Sequence, residues 1–561
     1  MAVSAGAPRR ADAATFPPIP LRHRLYGFGS IYGKTIRDSR LAFTIAAGLL
    51  GGMALVMGVA VSSVFPTPAA RLEVDKLVGS IPASMVNLFG KPVQLGTLGG
   101  YMTFKYGAIF ALGTALWSIF ALSGTLAGEA RRGSLDFVAT APFGKRRIAL
   151  EKLAAHLTML GLAMAILAVA TTASSLLFGD AALGDTIPLL SSAGFALWCG
   201  FIALFFGGLA FALAPVLGRA GSAGVASLTM VVLWVANGLN FGGPLVLASP
   251  FHWTANHVAL VGQYDWAPLA LAGVAGAVLL AIGVELFLRR DLGVTAGLSL
   301  PGLPAAVLGV HGPVSRALGD QLPRAVSWGI GLGFMGALVA SFVGPMADQL
   351  GKDTNLQATF AAIFPGFDLG SAGGWLQMYA QLLFIGAGFA AATFVSKWAS
   401  DEEDGRLEMV LTTPTARARW VIAGGVAAFL AVAVMTVLFA AGVGLGAASG
   451  GVGAADPMIG SAALGLYAVA IVGIGIAVGG LFRTSLAAEI AALVVVATYL
   501  VDLLALPLKL PDWVHQLALT AHFGQPMVGV WDAGGVIAAV VIGVAGVLIG
   551  AWGFARRDVA S

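Results

Sequence analysis

Apolar runs recur along almost the whole chain, each bounded by a short polar interval, and most of the charge is confined to those intervals. They fall near 42–63, 104–126, 149–178, 186–217, 222–247 and 267–288, then near 326–345, 376–397, 421–448, 458–481, 485–506 and 533–554. A helix rises about 1.5 Å per residue, so about 20 apolar residues cross a hydrocarbon core of about 30 Å. The pattern predicts an all-α integral membrane protein with about 12 transmembrane helices, laid out as two six-helix repeats.

Composition agrees. Hydrophobic residues make up 58% of the 561 and charged ones only 10%, against about 25% charged in a soluble domain. The many glycines suit helices that pack closely in lipid, where no hydrophobic effect drives them together. The single cysteine, Cys199, excludes a disulfide framework within one chain.

Charge then gives an orientation. Basic residues gather at Arg22 to Arg40, at Arg131, Arg132 and Lys145 to Arg147, at Arg289 and Arg290, at Arg417 and Arg419, and at Arg556 and Arg557. This puts about 25 of the 31 basic residues on one side, which the positive-inside rule makes cytoplasmic. Both termini are then expected inside, in a multi-pass protein of the cytoplasmic membrane. Topology accounts for the net charge of +4 without a nucleic-acid partner. The first 20 residues lack the apolar core of a signal peptide and read as a cytoplasmic tail.

The two halves repeat each other. "LGTLGGY" at 95–101 matches "LGSAGGW" at 369–375, and "GEARRGSLDFVATAPFGKR" at 128–146 matches "SDEEDGRLEMVLTTPTARA" at 400–418. "LRRD" at 288–291 matches "ARRD" at 555–558. The expected organisation is a tail and interfacial helix over 1–40, a first half over 41–290, a linker with a second interfacial helix over 291–324, and a second half over 325–561. Six spans per half give both halves one orientation, related by an axis along the membrane normal. "SIYGKTIRDSR" at 30–40 and "VSRALGDQLPRA" at 314–325 read as amphipathic helices lying at the interface.

The repeated loop is longer than a tight link between helices requires, with a glycine opening it and a proline closing it. In the second copy Leu407, Val410 and Leu411 stand at i, i+3 and i+4. Such a stripe either enters a groove on another protein or packs back on neighbouring helix ends, and periodicity does not choose.

The loop pattern of acid, glycine, leucine, acid, proline and base resembles the cytoplasmic loop after the second span of ABC-2 type permeases. It is carried by Glu129, Gly133, Ser134, Leu135, Asp136, Pro142 and Lys145, with Lys152 further on, and by Glu402, Glu403, Gly405, Leu407, Glu408, Leu411, Pro414 and Arg417. The fused two-half form resembles the tetronasin-resistance, or polyketide-antibiotic exporter, group. The resemblance implies an ABC-2 type exporter fold and coupling helices that dock on two copies of a separate ATPase subunit. It also implies that ATP and Mg are bound by that partner and no cofactor by this chain. The cargo would be a hydrophobic or amphipathic small molecule such as an antibiotic, with lipid as a competing cargo. The copies differ: the first is mostly basic, the second opens on four acids and has Gly424 where Lys152 aligns.

By the same resemblance, the first, second and fifth spans of each half line the central path. The residues there are Phe110, Trp117, Phe120, Trp234 and Asn237, with Phe384, Phe389, Tyr499 and Asp502; for any one aromatic, ordinary packing or lipid contact is the competing role. Ionisable residues inside spans are costly and so are singled out. Glu285 is expected to pair with Arg289 one turn on, while Glu489 and Asp502 have no evident partner, and Asp502 is expected to reach the interface. His252 and His257 sit between spans five and six, where the resemblance implies short helices that cap the exit, and two histidines without acidic or cysteine companions are a weak metal signal. "GFGSIYGKT" at 27–35 falls short of a phosphate loop, since Phe28 stands where glycine is needed. The rival readings are a proton-coupled twelve-span secondary transporter and a membrane enzyme. The first is weakened by few intramembrane acids and bases, the second by the lack of a catalytic cluster, so no catalytic residue or metal ligand is assigned.

Overall fold

The computed structural model describes residues 30–126, 144–239, 243–289 and 312–557, except for positions scattered through 65–88 and 353–365, and 404 and 506–510. Among these, twelve helices are long and apolar enough to cross a membrane. They are α1 Ile31–Val59, α2 Leu98–Thr125, α3 Lys145–Phe178, α4 Leu189–Arg219, α5 Gly221–Gly238 and α6 Trp266–Leu288. The second set is α7 Pro313–Asp348, α8 Ala372–Glu402, α9 Arg417–Ser449, α10 Ala455–Leu481, α11 Thr484–Leu504 and α12 Ala533–Arg556. Strand is confined, among the described residues, to a two-residue pair at Gly524–Gln525 and Val530–Trp531. The protein is an all-α, multi-pass integral membrane protein.

Helix ends follow local chemistry. The Thr97 hydroxyl accepts from the Gly100 N–H at the start of α2, and the Asp532 carboxylate accepts from the Gly534 and Gly535 N–H groups at the start of α12, meeting donors that a helix start leaves orphaned. α4 and α5 form one run broken at Gly218, whose φ of 69° lies in the left-handed region that glycine enters without strain.

Separate interfacial helices are not seen. Residues 31–40 are the opening turns of a helix that runs unbroken from Ile31 to Val64, and 313–324 open the helix from Pro313 to Leu350. No breaker follows residue 40, so the first ladder continues into the apolar turns, and the second helix runs on through Pro323 although proline donates no backbone hydrogen bond. The tail before residue 30 and the linker over 291–311 lie outside the described residues.

Helix pairing in the first six recurs in the second six. α1 packs on α3 as α7 packs on α9, and the α4–α5 unit packs on α2 and α6 as α11 packs on α8 and α10 on α12. In the second set the helices meet through small residues. A Cβ on Gly442 of α9 would collide with the Gly333 backbone of α7, and one on Gly480 of α10 with the Gly550 backbone of α12. Such contact lets dispersion act over the length of two helices in lipid. At the basic end of the first six, a distinct apolar cluster joins Ile31, Leu122, Leu126, Ile148, Leu153 and Phe287.

Candidate functional site

The second copy of the repeated loop lies wholly beside its own helices. α8 ends, Gly405 turns the chain with a φ of 70°, and a short helix, Arg406–Leu411, follows before α9 starts at Arg417. Leu407 is 0% exposed and belongs to the main apolar core, against which Val410 and Leu411 also pack. Leu407 is therefore covered by its own bundle, which satisfies apolar area that a partner's groove would otherwise cover, while Val410 and Leu411 are half-buried. Glu408, Met409 and Pro414 are exposed on the outward side.

The acid run is largely used inside the chain. Glu402 is buried and paired with Arg557 beyond the end of α12, and the same carboxylate oxygen accepts from the Thr484 hydroxyl at 2.6 Å. Arg557 in turn donates to the Phe482 carbonyl at 2.8 Å, and Arg417 donates to the Arg557 carbonyl at 2.7 Å. Asp401 lies 3.4 Å from Arg406 and 3.7 Å from Arg316 of α7. This network ties the loop to the ends of α7, α9, α10, α11 and α12. Glu403 lies in the last turn of the helix that carries α8.

Of the first copy, Glu129, Gly133, Leu135, Asp136 and Pro142 lie outside the described residues. Lys145 is the first residue of α3, and Lys152, one of its inward positions, is buried. Nearby, Glu151 accepts from the Tyr32 N–H at 3.1 Å and from Arg147 at 2.7 Å, which fixes the start of α1 against α3. The expected pair of Glu285 and Arg289 is present at 3.0 Å.

The residues expected along the central path occupy different settings. Phe110 is fully buried edge-on to Phe195, and Phe384 is packed between Tyr467 and Phe523. Trp117 lies against the His156 ring. Trp234 is half-buried and Asn237 buried, whereas Phe120 and Phe389 are 55% and 37% exposed. Tyr499 and Asp502 stand three residues apart on α11. Asp502 lies two residues from the end of its span. It accepts a hydrogen bond from the Thr520 hydroxyl and lies 3.8 Å from His515, both on the segment between α11 and α12.

Sequence reasoning missed Lys105. It lies in a π-helical turn, Met102–Tyr106, near the start of α2, and its ammonium donates to the Tyr101 hydroxyl at 3.2 Å while lying 5.5 and 5.3 Å from the Tyr101 and Tyr106 ring centroids. Single π turns within helices are frequent at functional sites, and cation–π contacts ease the burial of an ammonium. The signal was a lone lysine in an aromatic, otherwise apolar run, obscured because the span was expected to start at 104.

The segments between α5 and α6 and between α11 and α12 each carry short helical turns. His257 fixes the first. Its Nδ1 accepts from the Asp265 N–H at 3.0 Å, and Nε2 faces the Gly194 carbonyl at 3.3 Å, as in a neutral ring protonated on Nε2. Burial holds this imidazole below its ordinary pKa. On the same face, Asp185 is buried and accepts both a bidentate Arg71 pair at 2.6 and 2.7 Å and the Leu98 N–H at 2.8 Å, which pins the start of α2. Among the described residues, no group of three or more histidine, cysteine or acidic side chains could hold a metal.

The fold defines a polytopic helical membrane protein whose polar chemistry is concentrated at the two ends of its spans. Residues 310–555 match the family described as "Multidrug efflux system permease Rv1217c, C-terminal domain". Over 554 residues the chain is 26% identical to the "Multidrug efflux system permease protein Rv1217c" of Mycobacterium tuberculosis (strain ATCC 25618 / H37Rv), an alignment covering 96% of each protein.

Proposed function

We propose that this chain is the membrane permease of an efflux system, moving hydrophobic or amphipathic small molecules out of the cell. The observation that carries the reading is the likeness to a multidrug efflux permease along 96% of both chains, on a bundle with twelve spans. Both six-helix halves lie in one chain, so a single copy supplies two loops of the kind that, in the permeases it resembles, dock on ATPase subunits. The reading accordingly includes two copies of a separate ATPase that bind ATP and Mg, a cytoplasmic-membrane location, and basic loops and termini on the inside. The docking face of the second loop is Glu408 and Met409, since these are exposed where Leu407 is not.

Co-purification with candidate ATPase subunits, followed by vanadate-sensitive ATPase and drug-efflux assays, tests this reading. Stable association and ATP-dependent efflux are expected. Efflux that survives ATP depletion but collapses with the proton gradient rejects it in favour of the proton-coupled alternative, for which the partly buried ionisable groups Lys105 and Asp502 would be the starting point.

A further inference from the structure

At the basic end of the second six helices, α7, α8 and α9 leave a small, half-open pocket of about 40 Å³ between them. One wall is aromatic: Trp398 of α8 stacks on Trp420 of α9, ring centroids 5.1 Å apart and planes 27° apart. Gly424 makes the arrangement possible, because a Cβ there would collide with the Trp398 ring. The opposite wall holds Gln321 of α7, 2% exposed, whose Nε2 donates to the Phe394 carbonyl at 2.9 Å.

Three buried polar atoms of the lining residues have no hydrogen-bond partner: Oε1 of Gln321, the indole Nε1 of Trp398, which is 4% exposed, and Oδ1 of Asp401, which still faces the Arg406 guanidinium at 3.4 Å. Buried polar groups are nearly always bonded, and the two on uncharged side chains are one acceptor and one donor. The charges around them cancel. Arg316 faces Asp401 at 3.7 Å, and Lys397 faces Asp320 at 3.6 Å. A charged head group would have to displace one member of a pair, whereas an uncharged group that both donates and accepts answers the two free atoms directly.

We propose that this pocket binds the head of an uncharged amphiphile bearing a hydroxyl or carboxamide. The head accepts from the Trp398 N–H and donates to the Gln321 carbonyl, and the apolar body lies along the two indoles. Asp401 and Val410 also line the pocket, so an occupant touches the repeated loop itself. The inference stands independently of the efflux reading, and the occupant comes either from the membrane, as a glyceride, or from the cytoplasm, as a neutral drug.

Photolabelling of the purified full-length chain tests it. A diazirine-bearing monoacylglycerol is compared with a diazirine fatty acid of the same chain length, and labelled peptides spanning 313–321, 397–401 and 410–424 are quantified. The glyceride is expected to label these peptides about tenfold more than the fatty acid. Gln321→Met and Trp398→Phe, each checked for an unchanged unfolding temperature, are each expected to weaken labelling about fivefold, the loss of one hydrogen bond. If one variant fails to fold, the other and the fatty-acid comparison still decide. Competition with excess 1,2-diolein or chloramphenicol separates the sources: displacement by diolein assigns a lipid, displacement by chloramphenicol a drug. Equal labelling by the fatty acid, labelling indifferent to both substitutions, or displacement by neither competitor overturns the proposal and leaves a pocket that holds water only.

Discussion

The basic ends of the two six-helix sets occupy the same place in the packing pattern but are built from different side chains. In the first, Leu126 and Ile148 pack in an apolar cluster with Phe287, and Lys152, a turn beyond Ile148, is buried. At the matching positions of the second stand Trp398, Trp420, Phe554 and Gly424. There the two indoles stack, and Phe554 lies 5.0 Å from Trp420. The second end adds the buried pair of Glu402 and Arg557, where the first copy has Ala130 in place of the acid. The second copy of the loop is thus braced by internal struts. Of the acids that set it apart, Asp401 and Glu402 are held within the chain.

The largest effect is expected from removing the strut. Glu402→Ala leaves Arg557 without its carboxylate in a buried setting, a change that costs about 3–5 kcal/mol, read as a clear fall in the unfolding temperature of the purified protein. Glu402→Gln should fall less, because an amide oxygen still accepts from Thr484. An unchanged melting curve for Glu402→Ala would make the two ends equivalent after all.

Next comes Leu407→Ala, which empties a core position and should cost about 2–4 kcal/mol. Gly424→Lys, which installs the first end's residue, drives side-chain atoms into Trp398 and should cost about 1–3 kcal/mol by overpacking; a stable variant would show that the indoles give way easily. The smallest effect on stability is expected from Glu408→Ala with Met409→Ala, within about 0.5 kcal/mol for exposed positions. This double variant should nonetheless lose ATPase association in a pull-down, and full retention would place the docking face elsewhere.

The twelve spans were legible because each apolar run exceeds the length a bilayer demands, and the small-residue content already pointed to close helix packing. The inward face of the second loop was not. Leu407, Val410 and Leu411 have the same spacing whether they meet a partner or their own bundle, and only the positions of α8 and α9 decide. The interfacial helices were misjudged for a related reason: an amphipathic segment with no breaker after it continues into the span, as residues 31–40 do. Asp502 had no partner in its own helix because Thr520 and His515 arrive from the segment beyond α11. The strut between Glu402 and Arg557 joins residues 155 apart, a separation at which no local pattern signals contact.

The most direct test of the proposed function is uptake of a fluorescent hydrophobic drug into inside-out vesicles that hold this chain, with and without its co-purified ATPase subunits. Uptake that requires both the subunits and ATP, and that vanadate blocks, is the predicted result. Uptake by the chain alone, driven by a proton gradient and indifferent to ATP, would contradict it.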